Sequence, residues 1–122
     1  MQLLFEKSQE GILPGFGILK GTVKKFTAVP EGLKVPHMGW NEVIQNRSHA
    51  LWQDIQNGER FYFVHSYCVE PVDRSNIVGT TDYGLPFTSA VARDNIFALQ
   101  CHPEKSAQAG LTLLSNFIQW KP

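Results

Sequence analysis

Seven residues in the middle of the chain, Phe61 to Tyr67 (FYFVHSY), contain four aromatic rings, a valine and a histidine. Aromatic and β-branched side chains favour a pleated, half-buried surface, so this run reads as the strongest strand, bounded by Glu70-Pro71. A further strand is expected at Ile77 to Asp82. Thr88 to Arg93 and Ile96 to Cys101 read as a hairpin across the polar Asp94-Asn95 turn. Strands therefore cluster in the middle, and the two ends carry helical patterns. Met1 to Lys7 has apolar residues at 1, 3, 4 and 5 and no capping signal of its own. The last segment places apolar residues at 107, 111, 114 and 118, broadened by Leu113 and Phe117, which predicts an amphipathic helix packed on the sheet. Clustered strands with terminal helices give an α/β or an α+β class, a sheet flanked by helices.

Between these elements, Gly11 to Gly21 carries four glycines and a Pro-Gly turn and reads as a loop. Thr22 to Val29 alternates weakly and reads as a half-exposed strand, and Pro30 to Pro36 as another loop. The NEVI segment reads as a short strand. HALWQDIQNG reads as a short helix closed at Asn57-Gly58, where glycine accepts a left-handed cap.

A chain of 122 residues is long enough for one domain, or a piece of one, with a buried core. Eleven basic residues balance eleven acidic ones, which argues against a nucleic-acid or membrane surface. Cys68 and Cys101 sit in apolar strand-like runs without metal-ligand spacing, so neither a disulfide framework nor a zinc site is expected. A reducing cytoplasm is the expected compartment, and no segment approaches membrane-spanning length.

The chemistry-bearing stretch is FALQCHPEKS, residues 97 to 106. An apolar strand runs out into His102, Pro103 and Glu104 and breaks into a helix, the kind of strand end where open α/β sheets place their sites. Proline holds the two flanking side chains in a rigid turn. A carboxylate beside an imidazole fixes its tautomer and stabilises the imidazolium formed in proton transfer. Equally, the stretch reads as a plain His-Pro turn with Glu104 favouring a helix N-terminus. His65 reads as a buried, hydrogen-bonded strand histidine.

ALQCHPEKS resembles the His-Pro-Glu motif of class I glutamine amidotransferases, where the pair belongs to a Cys-His-Glu triad. VPHMGWN and YFVHSY resemble one branch of that family, the glutaminase subunits of imidazole glycerol phosphate synthase. MQLLFEKSQEG, YGLPFTSAV and the terminal helix extend the likeness over essentially the whole chain. The resemblance implies a single partial amidotransferase domain over residues 1–122. His102 would be its general base and then acid, and Glu104 its orienter. Gln2, Glu10, Ser66 and Tyr67 would hold glutamine. Pro36, His37, Met38, Gly39, Trp40, Asn41 and Tyr62 would face the cyclase subunit, and no metal or organic cofactor is implied. Read from the residues alone, Gln2 and Glu10 are equally ordinary polar positions, Tyr62 sheet packing, and His37 to Trp40 a surface turn.

In the family the nucleophile sits in a Gly-x-Cys-x-Gly turn just before a Met-Gln pair, and this sequence opens on Met1-Gln2. The expectation is therefore that the thiol lies upstream of Met1, with the N-terminal strands and nucleophile turn missing, and that the 122 residues alone are inactive. Cys101 is a poor substitute, because a persisting strand would point it away from His102. Two functions stay open: part of a glutaminase feeding ammonia to the cyclase in histidine biosynthesis, or a docking module that binds the cyclase without making ammonia.

Overall fold

The computed structural model describes residues 1–27 and 30–122, so Ala28 and Val29 of the expected 22–29 strand lie outside the described residues. Among the described residues, nine strands, four 3-10 turns and one α-helix form a mixed α/β architecture. The larger sheet runs β1 (Phe5–Ser8), β2 (Leu19–Lys25), β6 (Tyr67–Pro71), β8 (Pro86–Arg93), β7 (Ile77–Asp82), β4 (Ile44–Gln45), with β9 (Ile96–Leu99) also paired to β8. β1 and β2 pair in parallel, and every other pairing is antiparallel. A separate two-stranded sheet joins β3 (His37–Glu42) to β5 (Arg60–His65).

β8 is the central strand, and its interior from Phe87 to Ala92 is buried. Its small residues let both faces close: Ala90 and Ala92 join the larger core with Phe63, Val78, Trp52 and Leu113, and Val91 joins a second core with Phe5, Leu19, Val23 and Val69. Two of the buried hydroxyls here pair with each other, Thr81 Oγ1 donating to Ser89 Oγ at 2.9 Å.

The expected strand at 61–67 is two strands in two sheets. β5 ends at His65, the chain crosses over at Ser66, and β6 begins at Tyr67. The 77–82 strand and the hairpin turn stand where the sequence places them, with Asp94 in the left-handed region at φ 52°.

The expected N-terminal helix is absent: Gln2–Leu4 is a 3-10 turn and Phe5–Ser8 a strand. Phe5 is wholly buried against Leu19, and pairing with β2 outweighs a short, uncapped helical preference. The 49–58 segment is likewise only a 3-10 turn, Ala50–Trp52, capped by His49 Nδ1 accepting from Leu51 N–H. Trp52 pins it by donating Nε1–H to the Val78 carbonyl at 3.2 Å.

The terminal helix α1 (Ala107–Gln119) forms as expected, but with a different seam. Gly110 and Leu113 are buried, with Ala109 packed on the core, whereas Leu111, Phe117 and Ile118 are exposed. Gly110 sets this rotation: a Cβ there would stand 1.8 Å from the Pro103 carbonyl oxygen, so only glycine permits the approach. Asn116 then secures the other end, donating Nδ2–H to the Leu51 and Gln53 carbonyls.

Candidate functional site

β9 stops at Leu99, and the chain passes through Cys101 to His102, which caps the 3-10 turn Pro103–Lys105. Proline in the first position of that turn costs no donor the turn needs. The junction is bolted to β5: His102 N–H donates to the Tyr62 carbonyl at 2.9 Å. Ser106 Oγ–H donates to the His102 carbonyl at 2.6 Å and accepts from Tyr62 N–H at 2.9 Å. Ala107 then takes a left-handed φ of 51° to turn the chain into α1, a conformation costing a non-glycine residue roughly 1–2 kcal/mol. The close packing of Gly110 on Pro103 and the buried Ser106 hold it there.

On this support His102 Nδ1 lies 2.8 Å from Glu104 Oε1. A carboxylate oxygen only accepts, so Nδ1 carries the proton and Nε2 of the neutral ring keeps its lone pair. The Glu104 carboxyl is held below its usual range, first by its own backbone N–H and then by His102. Both side chains remain open to solvent, 38% and 58% exposed. The pair therefore adds little to stability, and its value lies in orienting a reachable imidazole.

Four residues singled out for glutamine meet at one open cleft of about 450 Å³, whose wall includes Gln2, Glu10, Ser66 and Tyr67 together with His65 and Gln100. Gln2 Nε2 donates to the Tyr67 carbonyl and to Gln100 Oε1, both at 3.2 Å. Gln100, two residues from His102, had no sequence signal. Neither did Ser106, because a serine whose hydroxyl ties β5 to the His102 turn looks like any other serine.

The residues expected to face a partner divide by the strand's alternation. Met38 and Trp40 are exposed, and Trp40 pairs edge-to-face with its cross-strand neighbour Tyr62 at 6.2 Å. Pro36 is exposed, Gly39 half-buried, and Lys105 Nζ lies 6.0 Å from the Tyr62 ring centre. His37 is a correction: with 2% of its surface exposed it belongs to no surface turn, and it stacks on Phe63 at 4.9 Å. Asn41 is half-buried beside it.

His65 is the buried, hydrogen-bonded strand histidine expected, and its partner is His37: His37 Nδ1 stands 2.9 Å from His65 Nε2. His65 Nδ1 faces the Tyr67 carbonyl at 2.8 Å, and Asn41 Nδ2 faces His37 Nε2 at 3.2 Å. Burial, and then the neighbouring His65, lower the His37 pKa to about 4. Burial is also the main cause lowering that of His65, with His102 adding to it and the Tyr67 carbonyl opposing.

Neither cysteine is poised as a nucleophile. Burial pushes the Cys68 thiol up to about 11 and Cys101 up to about 12, and Cys101 sits in the core. Among the described residues no cluster of three metal-ligating side chains occurs, and no helix is long and apolar enough to cross a membrane.

Residues 1–120 match the family described as glutamine amidotransferase class-I. The chain belongs to that family. Among relatives of this amidotransferase chain, two proteins named imidazole glycerol phosphate synthase subunit HisH, from Aromatoleum aromaticum and Dechloromonas aromatica, are each 58% identical over 99% of the chain. One of the same name from Nitrosospira multiformis is 56% identical over all of it. The amidotransferase chain spans about 60% of the length of these relatives.

Proposed function

We propose that this chain is the part of a glutaminase subunit of imidazole glycerol phosphate synthase that carries the base and most of the glutamine-binding wall. The observation that carries this reading is the 2.8 Å His102–Glu104 contact at a strand end rigidly tied to β5, in a chain of the amidotransferase family. The 56–58% identity to proteins named HisH selects the branch.

In this reading a thiol from outside residues 1–122 gives its proton to His102 Nε2, and its sulfur attacks the side-chain carboxamide carbon of glutamine, giving a tetrahedral intermediate. His102 protonates the departing nitrogen, so ammonia leaves and a γ-glutamyl thioester remains. The same imidazole then takes a proton from water, whose oxygen attacks the thioester carbon and releases glutamate and the thiolate. Glu104 keeps Nδ1 protonated throughout, which leaves Nε2 for the transfers. Gln2, Glu10, Ser66 and Tyr67 hold the substrate's other end in the cleft.

Ammonia passes to the cyclase subunit for histidine biosynthesis in the cytoplasm. The cyclase docks on the outer face of the β3–β5 sheet, where Pro36, Met38, Gly39 and Trp40 lie beside Tyr62. Support for this surface is the exposed Trp40 paired with a half-buried Tyr62 next to the His102 junction, since large aromatic anchors dominate interface energetics.

The test is glutamate release by the intact protein with its cyclase. His102→Ala is expected to lower kcat on the order of a hundredfold or more, with KM nearly unchanged. Undiminished turnover would refute His102 as base. Tight cyclase binding with no glutamate formed by the unsubstituted protein would establish the docking module instead.

A further inference from the structure

We infer that the buried His37–His65 pair is a positioning device that fixes the Tyr67 carbonyl, and through it the Gln2 amide, in the wall of the cleft. This rests on the glutamine-binding role proposed for that cleft. A backbone carbonyl only accepts, so the 2.8 Å contact from His65 Nδ1 to Tyr67 O requires the proton on Nδ1. A neutral ring then has a lone pair on Nε2, which accepts from His37 Nδ1–H at 2.9 Å. His37 Nε2 in turn must accept, and Asn41 Nδ2 donates to it at 3.2 Å. The Asn41 amide is itself oriented, donating to the Asp82 carbonyl at 2.8 Å and accepting from Glu42 N–H. Each link has one polarity, running from Asn41 through His37 and His65 to Tyr67.

The end of this relay is functional surface. The Tyr67 carbonyl accepts from both His65 and Gln2, which uses its two lone pairs. Gln2 spends both Nε2 hydrogens on Tyr67 and Gln100, so its Oε1 is the atom left to meet a donor in the cleft, such as a substrate ammonium or amide N–H. His65 acts where the chain leaves one sheet for the other, on the carbonyl of the first residue of β6. The other end of the relay is β3, so the cleft wall is tied to the strand that carries Met38 and Trp40.

Two substitutions at one position separate positioning from packing. His65→Asn keeps an N–H donor near the Nδ1 position and loses the link to His37. His65→Gln keeps an acceptor near the Nε2 position and loses donation to Tyr67. Both remove the same ring from the core. In the intact protein we expect His65→Gln to raise KM for glutamine about tenfold above His65→Asn, with kcat similar in the two. Equal KM values would mean that His65 only packs, and would overturn the inference.

A readout independent of activity keeps this separate from the glutaminase reading. Imidazole ¹⁵N shifts of the unsubstituted protein should show both rings neutral at pH 7 with the proton on Nδ1, and Gln2 side-chain N–H exchange should be at least tenfold faster in His65→Gln than in His65→Asn. These hold whether or not glutamine is hydrolysed. A proton on Nε2 of His65, or equal exchange in the two variants, would overturn the positioning role.

Discussion

Acidification should unfold this protein through His37, and the size of the effect follows from where the ring sits. Its neighbours are the rings of Phe63, Tyr83, Phe87 and His65 and the amide of Asn41. None is a carboxylate. Protonating Nε2 would aim a new N–H at the Asn41 Nδ2–H group, setting donor against donor. The folded pKa accordingly falls from 6.5 to about 4, burial being the larger cause and His65 the second.

A histidine whose folded pKa is depressed binds fewer protons in the native state than in the unfolded chain. Its contribution is thus intact above the unfolded pKa and is lost as pH falls from about 6.5 towards about 4. The whole shift corresponds to about 3 kcal/mol, of which about 2 kcal/mol is lost by pH 5. His37→Asn keeps a donor near the Nδ1 position and cannot gain that proton. Urea unfolding of the intact protein and the variant, at pH 7 and pH 5, isolates the His37 share, since carboxylates and His65 titrate in both. The unsubstituted protein should lose about 2 kcal/mol more than the variant between the two pH values, a relative midpoint shift of about 1 M. Parallel losses would refute the assignment of a neutral, depressed His37.

Three further outcomes follow from the packing. Gly110→Ala drives a methyl into the Pro103 carbonyl and should cost about 1–3 kcal/mol in a denaturant midpoint, with loss of activity because the His102 turn must shift. Ser106→Ala removes the hydroxyl shared by Tyr62 N–H and the His102 carbonyl, an expected loss of about 1–3 kcal/mol by the same measurement, since Tyr62 N–H is left without its partner. Trp40→Ala, at an exposed ring, should leave the melting temperature within a few degrees while weakening cyclase binding by calorimetry about thirtyfold, or about 2 kcal/mol; unchanged affinity would move the docking face elsewhere.

Features that are local, or carried by a short motif, can be read along the chain. The Ile77–Asp82 strand and the Asp94-Asn95 hairpin were legible because their residue types and turn chemistry decide them within a few positions. His102 and Glu104 were legible for the same reason, two residues apart around a proline, and they do meet. Tertiary structure decided the rest. Met1 to Lys7 carried a helical pattern, yet Phe5 gains more by burial beside Leu19 than an uncapped turn can offer. The FYFVHSY run looked like one strand because alternation within a strand does not reveal that the chain changes sheets at Ser66. The helix stripe named Leu113, which is buried, but also Leu111 and Ile118, which the approach of Gly110 to Pro103 leaves exposed while Ala109 packs on the core. His37, Asn41, His65 and Tyr67 are spread over thirty positions of sequence, and only the β3–β5 register brings them into one hydrogen-bonded line. Polar residues that satisfy one another across strands leave no periodic trace, because each is specified by its partner's position and not by its own neighbours.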